Sequence, residues 1–379
     1  MTREWTPELL DAMRHTGDEL ADTTLAQAAA LHGEVSKINA VFRSFAADDA
    51  QIPADAPPEL LAFAAATREL PAGLDAARVE RGARVMMDNA MLCALALLLK
   101  SLPSGYAAPR LSHVLHLTHN LERRPYKRAL GVLQMLVNIA RPGAFAPGAR
   151  AVVTAQKMRL LHAGVRQVVH RRLPGFAARF GVPVSQLDMA FTIMTFSVYV
   201  IDGLTELGVQ LSDADAEDYF YLWRMYGQMQ GIRPEWMPAS MAEGRALCRA
   251  YESEIRPASE NPDGVLLTAA DLDMMRGLLP WPLRLLGLGL APRVYLVRLL
   301  GEAGAARVGV TPVVGHALLD WLILRLPVLW HRFWNAAARD SDAHARLSRF
   351  FFSALIDEAW GGDVRFSVPD HLRDMRRLA

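Results

Sequence analysis

The chain has 379 residues, 52% of them hydrophobic, and 41 basic residues nearly balance 40 acidic ones to leave a net charge of +1. This length and apolar content suffice for a large core. The balanced charge argues against non-specific binding to nucleic acid or anionic lipid, so we expect a small, apolar partner. Cys93 and Cys248 lie far apart and form neither a disulfide framework nor a CxxC metal site.

The hydrophobic pattern repeats every 3.6 residues along the chain, and strand-like alternation is almost absent. We therefore predict an all-α, large multi-helix fold. The predicted helices are 7–30, 35–47, 58–69, 76–100, 109–122, 125–140, 151–172, 186–207, 213–230, 240–255, 268–278, 290–305, 312–335 and 342–359. Turn-forming residues at 53–58 and 142–148 and a polar loop at 256–264 separate some of them. We expect a helical arm at 1–84 packed on a core at 85–235, with covering helices at 236–379.

Two helices carry capping signals at their starts. Ser185 precedes Asp188 by three residues, and Ser212 stands in the same relation to Asp215. The first helix is apolar nearly all round, which predicts a place in the middle of the bundle. No apolar run looks long enough to span a bilayer, although 322–334 leaves open a peripheral membrane contact. The N-terminus lacks a secretory pattern, so we expect a cytoplasmic protein.

One histidine, His162, lies on an otherwise apolar helix face. At 100° per residue, Met158, Leu161 and Val165 share its side, and Gln156 and Lys157 lie toward the other. The imidazole therefore points inward, where both ring nitrogens need partners. The spacing fits either an iron ligand or a core histidine bonded to a carbonyl of a neighbouring helix.

Several common chemistries have no counterpart in the sequence. Walker loop, dinucleotide-binding glycines, HExxH, Gly-x-Ser-x-Gly and Glu-x-x-His motifs are all missing. His113, His116 and His119 recur every three residues, close enough on a helix for two of them to share a metal. An ordinary polar helix edge explains the same spacing, and no carboxylate or cysteine is interleaved with them.

Several blocks resemble the latex-clearing rubber oxygenases and the related MpaB-type proteins over about residues 85–235. They are 105–109, Lys127-Arg128, 142–148, 157–166 with its Leu-His-Ala core, Thr192 with 195–197, 202–204, 207–209, 222–224 and 227–231. Their combination in this order is more specific than any one block.

The resemblance implies a globin-like helical core that encloses a b-type haem, with His162 as the proximal iron ligand. It places Arg128 at the family's distal arginine. The lysine and threonine that follow in rubber oxygenases are replaced by Gly131 and Val132, and the glutamate proposed as catalytic base has no counterpart near 111–113. The distal side is therefore expected to be more open.

Other side chains take roles by the same resemblance. Arg128 would polarise a bound oxygen species or pair with a haem propionate. Arg159 and Arg166 would neutralise a propionate or pair with a helix carboxylate such as Glu206. Three residues would line the pocket from the central helix, unless they only pack helices: Thr192, Thr195 and Phe196.

The expected function is that of a haem b-dependent oxygenase that uses O₂ on a hydrophobic, unsaturated substrate of terpenoid, polyprenoid, lipid or aromatic kind. The missing distal groups leave a peroxidase-like haem reaction open as an alternative. A third hypothesis is a helical carrier without enzymatic activity, in which His162 is a core residue. The sequence indicates no oligomeric state.

Overall fold

The computed structural model describes residues 3–32, 56–117, 125–279, 281–312 and the single positions 321, 323 and 325; within them, the side chains of 29, 31, 32 and 125–130 are excluded. The described residues form helices and turns without a strand, which confirms the all-α prediction. The helices are α1 (Pro7–Arg14), α2 (Glu19–His32), α3 (Pro58–Ala66), α4 (Ala76–Asp88), α5 (Ala90–Ala96), α6 (Leu102–Tyr106), α7 (Pro109–Leu117), α8 (Pro125–Ala140), α9 (Arg150–Arg172), α10 (Phe176–Phe180), α11 (Gln186–Glu206), α12 (Asp213–Met229), α13 (Met241–Tyr251), α14 (Pro262–Leu278), α15 (Trp281–Leu285) and α16 (Ala291–Arg307).

The first predicted helix is interrupted. The chain turns between α1 and α2 at residues 15–18, which we call the α1–α2 corner. Asp18 caps α2 by accepting a hydrogen bond from the Ala21 amide at 3.3 Å. The backbone N–H of Gln186 donates to the Thr16 carbonyl at 2.8 Å, and its side-chain Nε2 donates to the Gly17 carbonyl at 3.0 Å. The corner is thus tied to the start of α11.

Two further boundaries differ from the prediction. The predicted helix 76–100 bends by 84° between Ala76–Asp88 and Ala90–Tyr106, and a π-helical turn, Leu97–Ser101, joins α5 to α6. The α14 helix begins at Pro262 instead of 268 because Asn261 caps it, accepting from the Gly264 amide at 3.2 Å. Predicted helices 35–47 and 342–359, and nearly all of 312–335, lie outside the described residues.

The α11 helix lies at the centre, as its sequence predicts. Ser185 and Asp188 form the capping box, and almost every turn of the helix is buried. Ser212 caps α12 as predicted. Contrary to the prediction of no such run, α11 is long and apolar enough to cross a membrane, but 83% of that stretch is buried inside the protein. Burial of this kind is typical of a core helix.

The α9 and α11 helices have different chief neighbours. The main hydrophobic core joins α1, α4, α5, α8, the first half of α9, α11, α12 and α13, and a second core joins α6, α14 and α16. The α9 helix packs chiefly on α2, α8 and α12, whereas α11 packs chiefly on α5, α12, α13 and the π-helical turn. The central α11 helix is therefore not the main neighbour of α9, contrary to the expectation that it lines a pocket at His162.

Candidate functional site

The α9 helix, which carries His162, is buried differently along its two halves. Every residue of 151–157 is buried, and this includes Gln156 and Lys157, which we expected on a polar face. Gln156 Nε2 donates to the Ala64 carbonyl at 3.0 Å. In the second half, Leu160, Ala163, Arg166 and Val169 are buried, whereas Met158, Leu161, His162 and Val165 keep part of their surface accessible. The side that we predicted to point inward is thus only partly covered by protein atoms.

The imidazole of His162 has no hydrogen-bond partner among the residues that the structure describes. Its Nδ1 atom is fully buried and unpartnered. Desolvation lowers the pKa of His162 to about 4, with a smaller contribution from the Arg166 charge that the Asp18 carboxylate opposes. The ring is neutral near pH 7. Because Nδ1 is enclosed while the residue keeps accessible surface, a ligand can reach Nε2 but not Nδ1.

This geometry argues against the ordinary structural role of a core histidine. Such a histidine would donate to a carbonyl of a neighbouring helix, and His162 makes no such bond. A buried polar group without a partner costs about 1–3 kcal/mol. Nδ1 carries this cost whether or not a ligand binds, so Nε2 is the nitrogen that remains available to a ligand.

One turn before His162, Arg159 forms a bidentate ion pair with Asp18 of the α1–α2 corner. Its Nε and Nη2 atoms donate to the two carboxylate oxygens at 2.7 and 2.8 Å. Gly231 approaches the pair from the end of α12 with a φ of +87°, and a Cβ atom there would lie 2.7 Å from the Asp18 carboxylate. Only glycine fits this position without strain.

One turn after His162, the Arg166 side chain is buried and divided between two partners. Its Nε atom donates to Asp22 of α2 at 2.7 Å, and Nη1 donates to the Val184 carbonyl at 3.1 Å, while Nη2 is buried without a partner. Val184 has a φ of +51°, a conformation that costs a β-branched residue about 1–3 kcal/mol. The carbonyl of this strained residue thus accepts a hydrogen bond from Arg166.

The predicted alternative of a carboxylate partner for these arginines is confirmed, but the residue named for it is wrong. Glu206 pairs instead with Lys100 at 2.9 Å. The actual partners precede the arginines by 141 and 144 residues. For propionate binding, Arg159 has Nε and Nη2 engaged by Asp18, and the one unbonded nitrogen of Arg166, Nη2, is enclosed by protein atoms.

The α8 helix forms the wall beside α9. Asn138 Nδ2 donates to Thr154 Oγ1 at 3.4 Å, and consecutive packed helices of this kind run antiparallel. His162 lies eight residues beyond Thr154, about 12 Å along the axis, and the same count back from Asn138 reaches the position before Gly131. Gly131 and Val132 lie in the first half of α8 and are half-buried, and their place opposite His162 stays a prediction.

The other predicted distal group cannot be placed. The backbone of Arg128 belongs to α8, but its side chain lies outside the described residues. A polar residue that the sequence analysis missed occurs one turn after Gly131: Gln134 is 3% exposed, and its Oε1 atom is buried without a partner. Gln134 Nε2 donates to Asn138 Oδ1 at 3.0 Å.

The three α11 residues predicted to line the pocket have local contacts. The Thr192 hydroxyl donates to the Asp188 carbonyl, and the Thr195 hydroxyl donates to the Thr192 carbonyl, both at 2.8 Å. Phe196 packs against Trp223 in the main core with a centroid distance of 5.0 Å. These contacts favour the helix-packing interpretation of all three residues.

The histidines of α7 have a carboxylate from another helix beside them, although none is interleaved with them in the sequence. His113 Nδ1 lies 2.7 Å from Asp263 Oδ2, and His116 Nδ1 lies 3.6 Å from Asp263 Oδ1. His113 also stacks on Phe176. Within the described part of the chain, no group of three or more His, Cys, Asp or Glu residues has metal-binding geometry, and His119 lies outside that part.

The helical architecture around α9 is shared with known proteins. A family model described as "ER-bound oxygenase mpaB/B'/Rubber oxygenase, catalytic domain" matches residues 83–339. The chain belongs to this family. The match confirms the resemblance expected from the Leu-His-Ala block and extends it well beyond residue 235 into the C-terminal helices.

Individual relatives agree with the family assignment. The chain is similar to a rubber oxygenase of Streptomyces sp. (strain K30), with 28% identity over 257 residues, which are 66% of this chain and 61% of that protein. It is also similar to a solved structure of latex clearing protein in the closed state, with a TM-score of 0.66, 24% identity and coverage of 93% and 90% of the two chains. This second similarity shows a common fold.

Proposed function

We propose that this protein is a haem b-dependent oxygenase of hydrophobic, unsaturated substrates, with His162 as the proximal iron ligand. The observation that carries the proposal is an imidazole without a hydrogen-bond partner among the described residues, whose Nε2 atom, unlike Nδ1, is not enclosed and whose pKa is lowered to about 4. A neutral imidazole is the form that binds iron. The membership in an oxygenase family supplies the reaction class.

The residues present fit the group. Nε2 of His162 is the nitrogen that a ligand can reach, and the neighbouring Met158, Leu161 and Val165 offer an apolar wall to a planar macrocycle. A propionate oxygen would have to replace a present partner of Arg166, because the one unbonded nitrogen of this guanidinium, Nη2, is enclosed by protein atoms. Haem iron, when bound, supplies O₂ binding and the electron chemistry of the oxidation.

The protein's own share is positioning and exclusion of water. The ion pairs of Arg159 and Arg166 fix α9 against α2 on both sides of His162, so the imidazole cannot tilt freely. Gly131 and Val132, which the family resemblance places on the distal side, offer no group that coordinates iron or transfers a proton. The apolar walls would hold an alkene and keep water away.

The relative's name points to rubber as its own substrate. For this chain we propose only the broader class of apolar, unsaturated molecules, since the lysine, threonine and glutamate pattern expected for rubber cleavage is absent. Gly131 and Val132 also favour a second candidate, a peroxidase-like reaction on an open distal side. Two experiments separate the oxygenase from the peroxidase-like reaction. Ferrous protein is mixed with O₂ and an alkene, and ferric protein is mixed with peroxide.

The first test is the absorbance spectrum of the purified protein. We expect a Soret band, its loss in His162→Gly, and its partial return when imidazole is added to that variant. His170→Ala is the matched control, because His170 lies exposed on the same helix. A folded wild type that stays colourless after haem addition, or a Soret band unchanged in His162→Gly, contradicts the proposal.

A further inference from the structure

Large apolar side chains lie uncovered between α14 and α16. Leu278, Trp281, Leu285 and Leu286 are 57%, 67%, 77% and 70% exposed, and Leu283 between them is exposed as well. We call this the 278–286 surface. Among the described elements, α15 packs chiefly on the turn Leu288–Leu290 that follows it. A contiguous exposed patch of this kind marks an interaction surface, unlike isolated exposed residues.

The charge around this surface has one sign. Between Asp273 and Glu302 the sequence contains four arginines and no acidic residue. Arg276 and Arg284 are exposed and form no ion pair with any residue that the structure describes. The patch is thus apolar with free cationic groups at its edge.

We infer that the 278–286 surface docks on anionic lipid membranes. Tryptophan favours the membrane–water interface, leucine side chains enter the acyl boundary, and arginines pair with anionic headgroups. The near-zero charge of the whole chain does not oppose this, because attraction acts over a Debye length of about 8–10 Å. A symmetric contact with a second copy of the chain would bring Arg284 close to its own equivalent, which disfavours that occupant.

The test is flotation of the haem-loaded full chain with vesicles of phosphatidylcholine alone or with phosphatidylserine added. We expect binding to the anionic vesicles that weakens with salt. Trp281→Ser/Leu285→Ser/Leu286→Ser should lower the partition coefficient more than about tenfold, and Arg276→Gln/Arg284→Gln should lower it by about fivefold per arginine.

Two control variants change the same chemistry elsewhere. Met91→Ser/Leu266→Ser removes exposed apolar side chains of 60% and 50% exposure, and Arg171→Gln/Arg172→Gln removes exposed arginines of α9. Both should bind like wild type, and all variants should keep the helical circular dichroism signal.

Three outcomes overturn the inference. The first is a wild type that does not float with anionic vesicles. The second is a triple serine variant that floats as well as wild type, which would place the membrane contact elsewhere or show that other residues of the chain cover this surface. The third is a wild-type dimer in sedimentation that the triple variant disperses without any vesicle binding, which would identify the occupant as a second copy.

Discussion

The substitution Asp18→Asn tests whether the α1–α2 corner holds α9 through a buried charge. The Asp18 and Arg159 side chains are only 4% and 12% exposed and share two hydrogen bonds. Asparagine keeps the oxygen that caps α2 and accepts one of these bonds, but it removes the charge. Loss of one partner of a buried ion pair costs about 3–5 kcal/mol, and we expect about 3 because asparagine is conservative.

The measurement is thermal unfolding followed by circular dichroism. With an unfolding entropy of about 2.1 cal/mol/K per residue, 379 residues give about 0.8 kcal/mol/K, so 3 kcal/mol lowers Tm by about 4 °C. The control is Asp11→Asn, whose carboxylate is 63% exposed and whose loss should cost about 0.5 kcal/mol or less. A Tm for Asp18→Asn within about 1 °C of wild type refutes the reasoning.

A double-mutant cycle separates the ion pair from other effects. Arg159→Met leaves a buried carboxylate, and Asp18→Asn leaves a buried guanidinium, whereas the double variant leaves neither charge. The loss in the double variant should be smaller than the sum of the single losses by about 2 kcal/mol. Additive losses would show that the two side chains contribute independently.

The remaining predictions concern other parts of the protein. Gly82→Ala should destabilise the protein by several kcal/mol in urea unfolding, because a Cβ atom there would lie 2.3 Å from the Asp218 carbonyl oxygen of α12, whereas Gly277→Ala, with open space around it, should not. Burial raises the pKa values of both Cys93 and Cys248 to about 12, so neither should react with a thiol reagent before unfolding; fast labelling of native protein would contradict this. Burial opposes ionisation of Asp218, but hydrogen bonds from Arg81 and Arg78 lower its pKa overall. Its stabilisation is therefore complete above the unfolded pKa of about 3.9 and is lost as the pH falls through the lower folded value. Asp218→Asn should accordingly lower stability at pH 6 and converge with wild type at strongly acidic pH, and a constant difference in acid titrations would disprove this.

Local signals in the sequence predicted much of the fold. Ser185 and Ser212 marked helix starts correctly because capping depends on residues only three apart. Asn261 followed by Pro262 is an equally local signal for the start of α14, although the polar composition of 256–264 predicts a loop there. The Leu-His-Ala block identified His162 as a residue that the core does not satisfy.

The partners of the site could not be predicted in this way. Asp18 and Asp22 lie more than 140 residues before the arginines that they bind, and no helical period relates them. Asp263 reaches His113 across 150 residues, so no local pattern around the histidines could predict this contact. Gln156 and Lys157 are buried because α9 is covered on all sides in its first half. Their polar side chains predict exposure instead.

The aspartates that neutralise Arg159 and Arg166 lie before residue 83, where the match to the family model begins. A fragment cut to residues 83–339 would retain both arginines without their counter-ions, and each uncompensated charge would cost several kcal/mol. We therefore expect the fragment 83–339 to be far less stable than the full chain. Chimeras that exchange the catalytic region between relatives should carry residues 3–32 with it.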